Sequence, residues 1–247
     1  MRIENSFIPV QGVGERTERK LWRAGVTHWD EFDGSVVGST TADRIESFID
    51  TAYDHLEAGD SRYFGRSLPS SERWRLYENF RDRTCFFDIE TTGLSQERDH
   101  VTTVSFHLGG ETTTLVRGDD LTADAITEQF DDAALVATFN GARFDVPFLE
   151  TSFDVSVDVP HVDLMYPCKR LGLSGGLKAI EQEVGIARDE PDISGRDAVR
   201  LWRAYERGDD AALDTLVRYN RDDARNLQTL LDVVADGLHQ RVFEGVR

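Results

Sequence analysis

Four carboxylates are the side chains in this sequence best placed to do chemistry. They are Asp88, Glu90, Asp145 and Asp223. The first two close an apolar run that begins at Cys85. Buried carboxylates repel one another and are costly to desolvate, so a cluster of four is tolerable mainly around cations. Ligands that are all oxygen favour Mg²⁺ or Mn²⁺ over zinc.

The spacing of these residues predicts that they can converge. Asp88 and Glu90 are two residues apart on a predicted strand, so their side chains point to the same face. Asp145 is expected at the start of a helix, where free backbone N–H groups favour an anion. Tyr219 and Asp223 are four residues apart on a predicted helix and share a face, which puts a phenol where it could orient a water. Two cations about 3.5–4 Å apart would clamp a phosphodiester, one activating the attacking water and the other stabilising the leaving oxygen.

Several neighbouring residues have more than one interpretation. Asp222 competes with Asp223 for the fourth position. Asp163 follows a short apolar run and is favoured as a strand-end or capping acid over a metal ligand. Asn140 either braces the loop before Asp145 or contacts the substrate.

The elements that must position these residues follow from hydrophobic periodicity. After residue 83 the pattern predicts strands over 84–90, 101–108, 111–116, 135–139 and 161–164. It predicts helices over 124–130, 144–151, 176–184, 195–207, 209–217 and 221–235. Three strands followed by helices that alternate with short strands indicate an α/β fold, a mixed sheet flanked by helices.

The first part of the chain has a different pattern and predicts a small N-terminal helical domain, with helices over 15–24, 42–57 and 72–80. Residues 1–83 carry 12 basic and 15 acidic side chains, whereas residues 84–247 carry 16 and 31. Net charges are therefore −3 and −15. We expect two domains, 1–83 and 84–247.

A glycine turn lies near the N-terminus, where Gly12, Val13 and Gly14 lead into a predicted helix that carries Arg16 and Lys20. Glycines let the backbone approach a phosphate, and a helix N-terminus offers free N–H donors. The segment is similar to helix-hairpin-helix modules, which bind the nucleic-acid backbone. These five residues and Asn140 are the predicted nucleic-acid contacts. The alternative is a tight loop in a packing domain, because only some nine residues precede the turn.

The composition is strongly acidic, with a formal net charge of −18 and only three lysines among 28 basic residues. It resembles the proteomes of salt-in halophilic archaea, in which carboxylates keep proteins hydrated. At molar salt the Debye length is about 3 Å, so long-range repulsion of nucleic acid is screened. No apolar stretch approaches a membrane span and no signal peptide is apparent. We therefore expect a soluble cytoplasmic protein that does not bind membranes.

The motifs resemble those of the DEDD 3′–5′ exonucleases of ribonuclease H-like fold. Asp88-x-Glu90 matches the first motif, Asn140-x4-Asp145 the second, and Tyr219-x3-Asp223 the third, in its tyrosine subtype. The run from Asp192 to Asp223 is similar to the YprB-type predicted exonucleases. The resemblance covers roughly residues 84–235. It implies that the four carboxylates hold two Mg²⁺ or Mn²⁺ ions and that Tyr219 positions the nucleophile.

These features predict a metal-dependent 3′–5′ exonuclease that acts on DNA or RNA. One alternative is a structure-specific or hybrid-cleaving endonuclease on the same fold. Another is a non-catalytic nucleic-acid-binding protein, against which the intact set of carboxylates argues. The sequence indicates no protein partner.

Overall fold

Five strands form one mixed sheet in the computed structural model, which describes residues 1–246. The strands are β1 Thr84–Thr91, β2 Val101–Leu108, β3 Glu111–Val116, β4 Leu135–Thr138 and β5 His161–Asp163. Their order is β3-β2-β1-β4-β5. β1, β2 and β3 pair antiparallel, whereas β4 runs parallel to β1 and β5 parallel to β4. The predicted α/β fold, a mixed sheet flanked by helices, is confirmed.

The register of this sheet follows from local sequence. The hairpin between β2 and β3 turns at Gly109 and Gly110, whose φ angles of +60° and +86° suit a two-residue turn that L side chains disfavour. β1 is buried along nearly its whole length. A bulge between Glu90 and Thr91 ends its regular pairing with β2.

Ten α-helices surround this sheet within residues 1–246. They are α1 Glu15–Arg23, α2 Ser39–Glu57, α3 Ser61–Ser67, α4 Tyr77–Phe80, α5 Ala123–Asp131, α6 Asp145–Phe153, α7 Met165–Leu171, α8 Leu177–Val184, α9 Gly195–Tyr205 and α10 Asp210–Val242. Short 3-10 helices span Ile3–Asn5, Trp29–Glu31, Ser70–Leu76, Arg81–Arg83 and Glu244–Val246. No helix in the described part of the chain is long and apolar enough to cross a membrane.

Helix α10 corrects the prediction of separate helices over 209–217 and 221–235. The interval at residues 218–220 between these two predicted helices is helical as well, and α10 continues through it without a break. Asn220 is fully buried, and its Nδ2 donates to the carboxylate Oδ2 of Asp88 at 2.8 Å. Tyr219, Asn220 and Asp223 therefore lie on the inward side of the helix where it crosses β1, whereas Arg218 is exposed.

The two faces of the sheet have separate apolar cores. On one face Cys85, Phe87 and Ile89 of β1 pack in a cluster that includes residues of α5 and α6. On the other, Phe86 joins a larger cluster that contains α10 side chains and the tryptophans Trp22, Trp29 and Trp74. Buried apolar residues from both sides of residue 83 thus share one core.

Candidate metal-binding and catalytic site

Three carboxylates meet where β1 passes under α10. Asp88 and Glu90 lie on the same face of β1, as their spacing predicted, and Asp223 reaches them from the helix. One oxygen from each of the three lies within 4.8 Å of the other two. The Asn220 amide, which also donates to the backbone oxygen of Asp88 at 3.2 Å, fixes the strand against the helix. This all-oxygen donor set fits a hard divalent cation.

Asp145 lies on the same cavity but outside this group of three. It is the first residue of α6 and is 5% exposed. Burial raises the pKa of its carboxyl to about 7, although the backbone amides of Asp145 and Ile89 oppose the shift. The cavity has a volume of about 330 Å³. Its lining includes all five predicted catalytic residues, Asp88, Glu90, Asp145, Tyr219 and Asp223, together with Asn140.

The electrostatics of this cavity are those of an anionic cluster without enough positive charge. Burial raises the pKa of Asp88 well above its usual range, and Asp223, Asp145 and Glu90 raise it further. Burial, Asp223 and Asp145 likewise raise the pKa of Glu90, although Arg188 and Lys178 oppose the shift. Burial also raises the pKa of Asp223, to about 6, against the influence of a nearby arginine. Burial and mutual repulsion therefore disfavour the charged forms of these carboxyls, and an added cation would stabilise the charged forms.

Tyr219 and Asp223 share the face of α10 that looks into the cavity. Hydrogen bonding from Tyr219 lowers the pKa of Asp223, while burial and the carboxylates raise the pKa of the phenol. Tyr219 is thus held in its protonated, hydrogen-bonding form throughout the ordinary pH range. Such a phenol can donate to or orient a water molecule beside the carboxylates.

Two basic residues at this site were missed in the sequence. Arg188 donates hydrogen bonds to Asp223 and to Glu181, and its guanidinium carbon lies 5.4 Å from the centroid of the Tyr219 ring. Lys178 lines the cavity, with Nζ 5.0 Å from the same centroid. The available signal was composition, because Lys178 is one of only three lysines in the chain. Nothing in the local pattern marked Arg188.

Asp222 has a different set of contacts from its neighbour Asp223. Its Oδ2 accepts hydrogen bonds from the backbone N–H groups of Asp189 and Glu190, at 2.7 and 3.2 Å. Its Oδ1 accepts from Arg225. Asp222 therefore holds the loop that follows Arg188, while Asp223 faces the cavity.

Asp163 holds a second loop, the one between β4 and α6. Its two oxygens accept from the backbone N–H groups of Asn140, at 2.7 Å, and Ala142, at 3.2 Å. Asn140 has a φ of +65°, a left-handed conformation that asparagine tolerates better than most residues. Its backbone is thus braced by Asp163 while the residue lines the cavity.

The glycine turn lies at a different cavity, of about 610 Å³, lined by Gly12, Val13 and Gly14 together with residues of the 67–72 segment. Gly12 has a φ of +87°, and Gly14 is the residue before α1. Val13 is buried, Arg16 is exposed, and Lys20 donates through Nζ to the carbonyl oxygen of Val36. The residues before this glycine turn form a short 3-10 helix and a hydrogen-bonded turn rather than a full first helix.

The sequence profile of the RNase_H superfamily matches residues 85–235, more than half of the chain. The chain therefore belongs to the RNase_H superfamily. A search of the curated proteins finds no significant match.

Three solved structures are similar to this chain over part of its length. NrnC of Brucella melitensis bound to pGG is 22% identical, with a TM-score of 0.50 over 69% of this chain and 80% of that one. The family B DNA polymerase of the hyperthermophilic archaeon Pyrobaculum calidifontis is 20% identical, with a TM-score of 0.46 over 64% of this chain and 24% of the polymerase. A structure described as the apo form of the nuclease is 20% identical, with a TM-score of 0.48 over 66% and 77%. At such identities the likeness to NrnC shows the fold alone. Family and fold together support a function in nucleic-acid cleavage.

Proposed function

We propose that this protein is a metal-dependent 3′–5′ exonuclease of the DEDD type, related to the YprB-type enzymes, acting on DNA or RNA. The observation that carries the proposal is the convergence of Asp88, Glu90 and Asp223 oxygens within 4.8 Å beside Asp145 and Tyr219. Asp88, Glu90, Asp145 and Asp223 would hold two Mg²⁺ or Mn²⁺ ions. When bound, such ions neutralise the phosphodiester and lower the pKa of a water.

The side chains of the protein have separable tasks in this proposal. Asn220 holds Asp88, and thereby the first strand ligand, against α10. The protonated Tyr219 hydroxyl orients the attacking water next to Asp223. Asp163 fixes the loop that brings Asn140 to the cavity, where Asn140 contacts the substrate.

Residues 1–83 are proposed as the nucleic-acid-binding part, and residues 84–247 as the exonuclease domain. Gly12, Val13, Gly14, Arg16 and Lys20 would contact the backbone of the strand. Support comes from the exposure of Arg16 and from the free N–H groups at the start of α1. A backbone contact of this kind carries no sequence preference.

Digestion of matched nucleic acids tests the activity. Single- and double-stranded DNA and RNA, labelled at the 5′ or 3′ end, are incubated with Mn²⁺ at molar KCl, since the composition predicts a salt-rich cytoplasm. Release of 3′-terminal nucleotides, with no cleavage of closed circles, is the expected result. Cutting of circles would establish the endonuclease alternative. Binding without hydrolysis of any substrate would establish the non-catalytic one.

A further inference from the structure

A third cavity, of about 360 Å³, lies where the N-terminal segment meets the sheet. Arg62, Arg66 and Arg73 line it, together with the 157–160 segment that precedes β5. Helix α3 approaches this segment closely, because a Cβ on Gly65 would lie 2.5 Å from Cγ of Pro160. We call this cavity the arginine pocket.

The arginine pocket contradicts the overall charge of the chain. Its lining has three arginines and one acid, Asp158, in a protein of net charge −18. Within residues 1–246, none of the three arginines forms an ion pair, whereas Arg75, Arg81, Arg170 and Arg188 all do. An excess of unpaired guanidinium groups in a concave site indicates an anionic ligand.

Two of these arginines are prepared for such a ligand. Arg62 is anchored by its Nε, which donates to the backbone oxygen of Asp158 at 2.9 Å, so its terminal nitrogens stay available. The Nε of Arg73 is buried and has no hydrogen-bond partner. A buried donor without an acceptor is unfavourable, and a phosphate oxygen would satisfy it.

Strand β5 lies between the arginine pocket and the cavity lined by Asp88, Glu90, Asp145 and Asp223, which we call the carboxylate cavity. It begins at His161, next to Pro160 of the pocket, and ends at Asp163, which holds the Asn140 loop. Three strand residues span about 10 Å. At about 3.4 Å per nucleotide along one strand, the length of β5 corresponds to about three nucleotides.

We propose that the arginine pocket binds the phosphodiester backbone of the substrate strand, some nucleotides away from the end held in the carboxylate cavity. The inference rests on the proposed function and adds a second binding site to it. Guanidinium groups that pair with phosphate read no bases. The pocket therefore confers preference for substrate length rather than for sequence.

The test measures binding apart from cleavage. Fluorescence anisotropy is recorded over a KCl series for Asp88→Asn protein with a labelled long oligonucleotide and with a labelled dinucleotide. The charge-reversal pair Arg66→Glu/Arg73→Glu is compared with Arg203→Glu/Arg207→Glu. The control pair makes the same change of charge at Arg203 and Arg207, which are exposed and lie at or just beyond the end of α9. Neither arginine forms an ion pair within residues 1–246. Thermal melting verifies that each protein is folded, and Arg66→Gln/Arg73→Gln replaces the reversal pair if it is not.

The proposal requires that the Arg66→Glu/Arg73→Glu variant, the pocket pair, bind the long oligonucleotide about 10-fold more weakly or worse. The slope of log K against log salt should fall by about 0.7 for each phosphate that the variant no longer neutralises. Dinucleotide binding should stay unchanged. An equal effect of the control pair, no effect of the pocket pair, or an equal loss with the dinucleotide would overturn the proposal.

A cleavage assay distinguishes failure of the proposed exonuclease function from failure of the arginine pocket. It compares the wild-type protein with the Arg66→Glu/Arg73→Glu variant, both with Asp88 intact. If the wild-type protein hydrolyses neither substrate with Mn²⁺, the proposed function fails. If hydrolysis proceeds and the pocket pair leaves long-substrate binding unchanged, the arginine pocket alone fails.

Discussion

Two buried groups of charges in this molecule show how differently a protein can treat an ionised side chain. In the N-terminal part, Arg75 lies between Glu18 and Glu72, and all three side chains are almost completely buried. Its Nη1 is 2.9 Å from Glu18, and its Nε 2.7 Å from Glu72. Glu18 also accepts from the backbone of Phe7, and Arg170 provides a second partner for Glu72.

The carboxylate site has the opposite balance. Four acids face the cavity, and of the residues described only Arg188 forms an ion pair with one of the four. Burial raises the pKa values of all four carboxyls. Asp223 and Asp145 raise those of Asp88 and Glu90 further. In the N-terminal group each buried carboxylate is paired with Arg75, although burial raises the pKa of Glu18 and Nη2 of Arg75 has no hydrogen-bond partner. The carboxylate site, by contrast, needs added positive charge. Uncompensated burial of this kind marks a functional site more often than a structural one.

Loss of one cavity carboxylate should have the largest effect on activity. We expect Asp88→Asn to lower turnover on the order of 10³-fold or more, because it removes a metal ligand. Without metal the same variant should melt at a higher temperature than wild type, since like-charge repulsion is relieved. Gel-based digestion with Mn²⁺ and calorimetric melting in EDTA measure the two effects. Activity within tenfold of wild type would remove Asp88 from the site.

Loss of the central arginine in the N-terminal group should have the opposite pattern. Arg75→Ala leaves Glu18 buried without its charge partner, which typically costs about 3–5 kcal/mol of unfolding free energy. Activity per folded molecule should be retained. Urea unfolding gives the stability, with Arg81→Ala as control, because its exposed pair with Asp232 is worth only about 0–1 kcal/mol. A loss no larger than that of the control would show that the N-terminal group contributes little.

Removal of the phenol should separate chemistry from metal binding. We expect Tyr219→Phe to reduce turnover by roughly 10- to 1000-fold, because a water-orienting group acts mainly in the transition state. The affinity for Mn²⁺, measured by titration calorimetry, should change little. A large loss of metal affinity would instead assign Tyr219 to the support of Asp223.

Removal of Arg188 should strengthen metal binding by about 10-fold, because the guanidinium competes with a cation for the Asp223 carboxylate. Melting in EDTA should fall, since the acids lose their counter-charge. The matched control is Arg225→Gln, which breaks the pair with the adjacent Asp222 and should leave Mn²⁺ affinity unchanged. Weaker Mn²⁺ binding by Arg188→Gln would mean that this arginine positions Asp223 in the metal-bound state.

The smallest effect expected is a difference in pH dependence. Asp145 and Asp223 have folded-state pKa values of about 7 and about 6, above those of unfolded aspartate. The folded protein then binds more protons than the unfolded one, so their contribution to stability falls as pH rises from about 4 to about 7. Melting in EDTA should decline more across this window for wild type than for Asp88→Asn. Parallel curves would contradict the raised pKa values.

The sequence by itself determined the elements whose pattern is local. Strand β1, the β2–β3 hairpin and the shared faces of Asp88 with Glu90 and of Tyr219 with Asp223 all follow from short apolar runs, two glycines and fixed periodicities. Helix ends agree within a few residues for most elements, although α3 and α7 were not predicted. Local geometry suffices for the two shared faces because each depends on residues only two or four positions apart.

Tertiary structure alone decided which side chains join the site from a distance. Asp222 and Asp223 are neighbours in sequence, yet the packing of α10 on β1 turns one toward a loop and the other into the cavity. The same packing buries Asn220 and keeps α10 continuous through a run that looks like a loop. Arg188 is 35 residues from its partner Asp223, and no periodicity links them. A local pattern fixes the face of an element, but only the folded chain fixes what lies opposite that face.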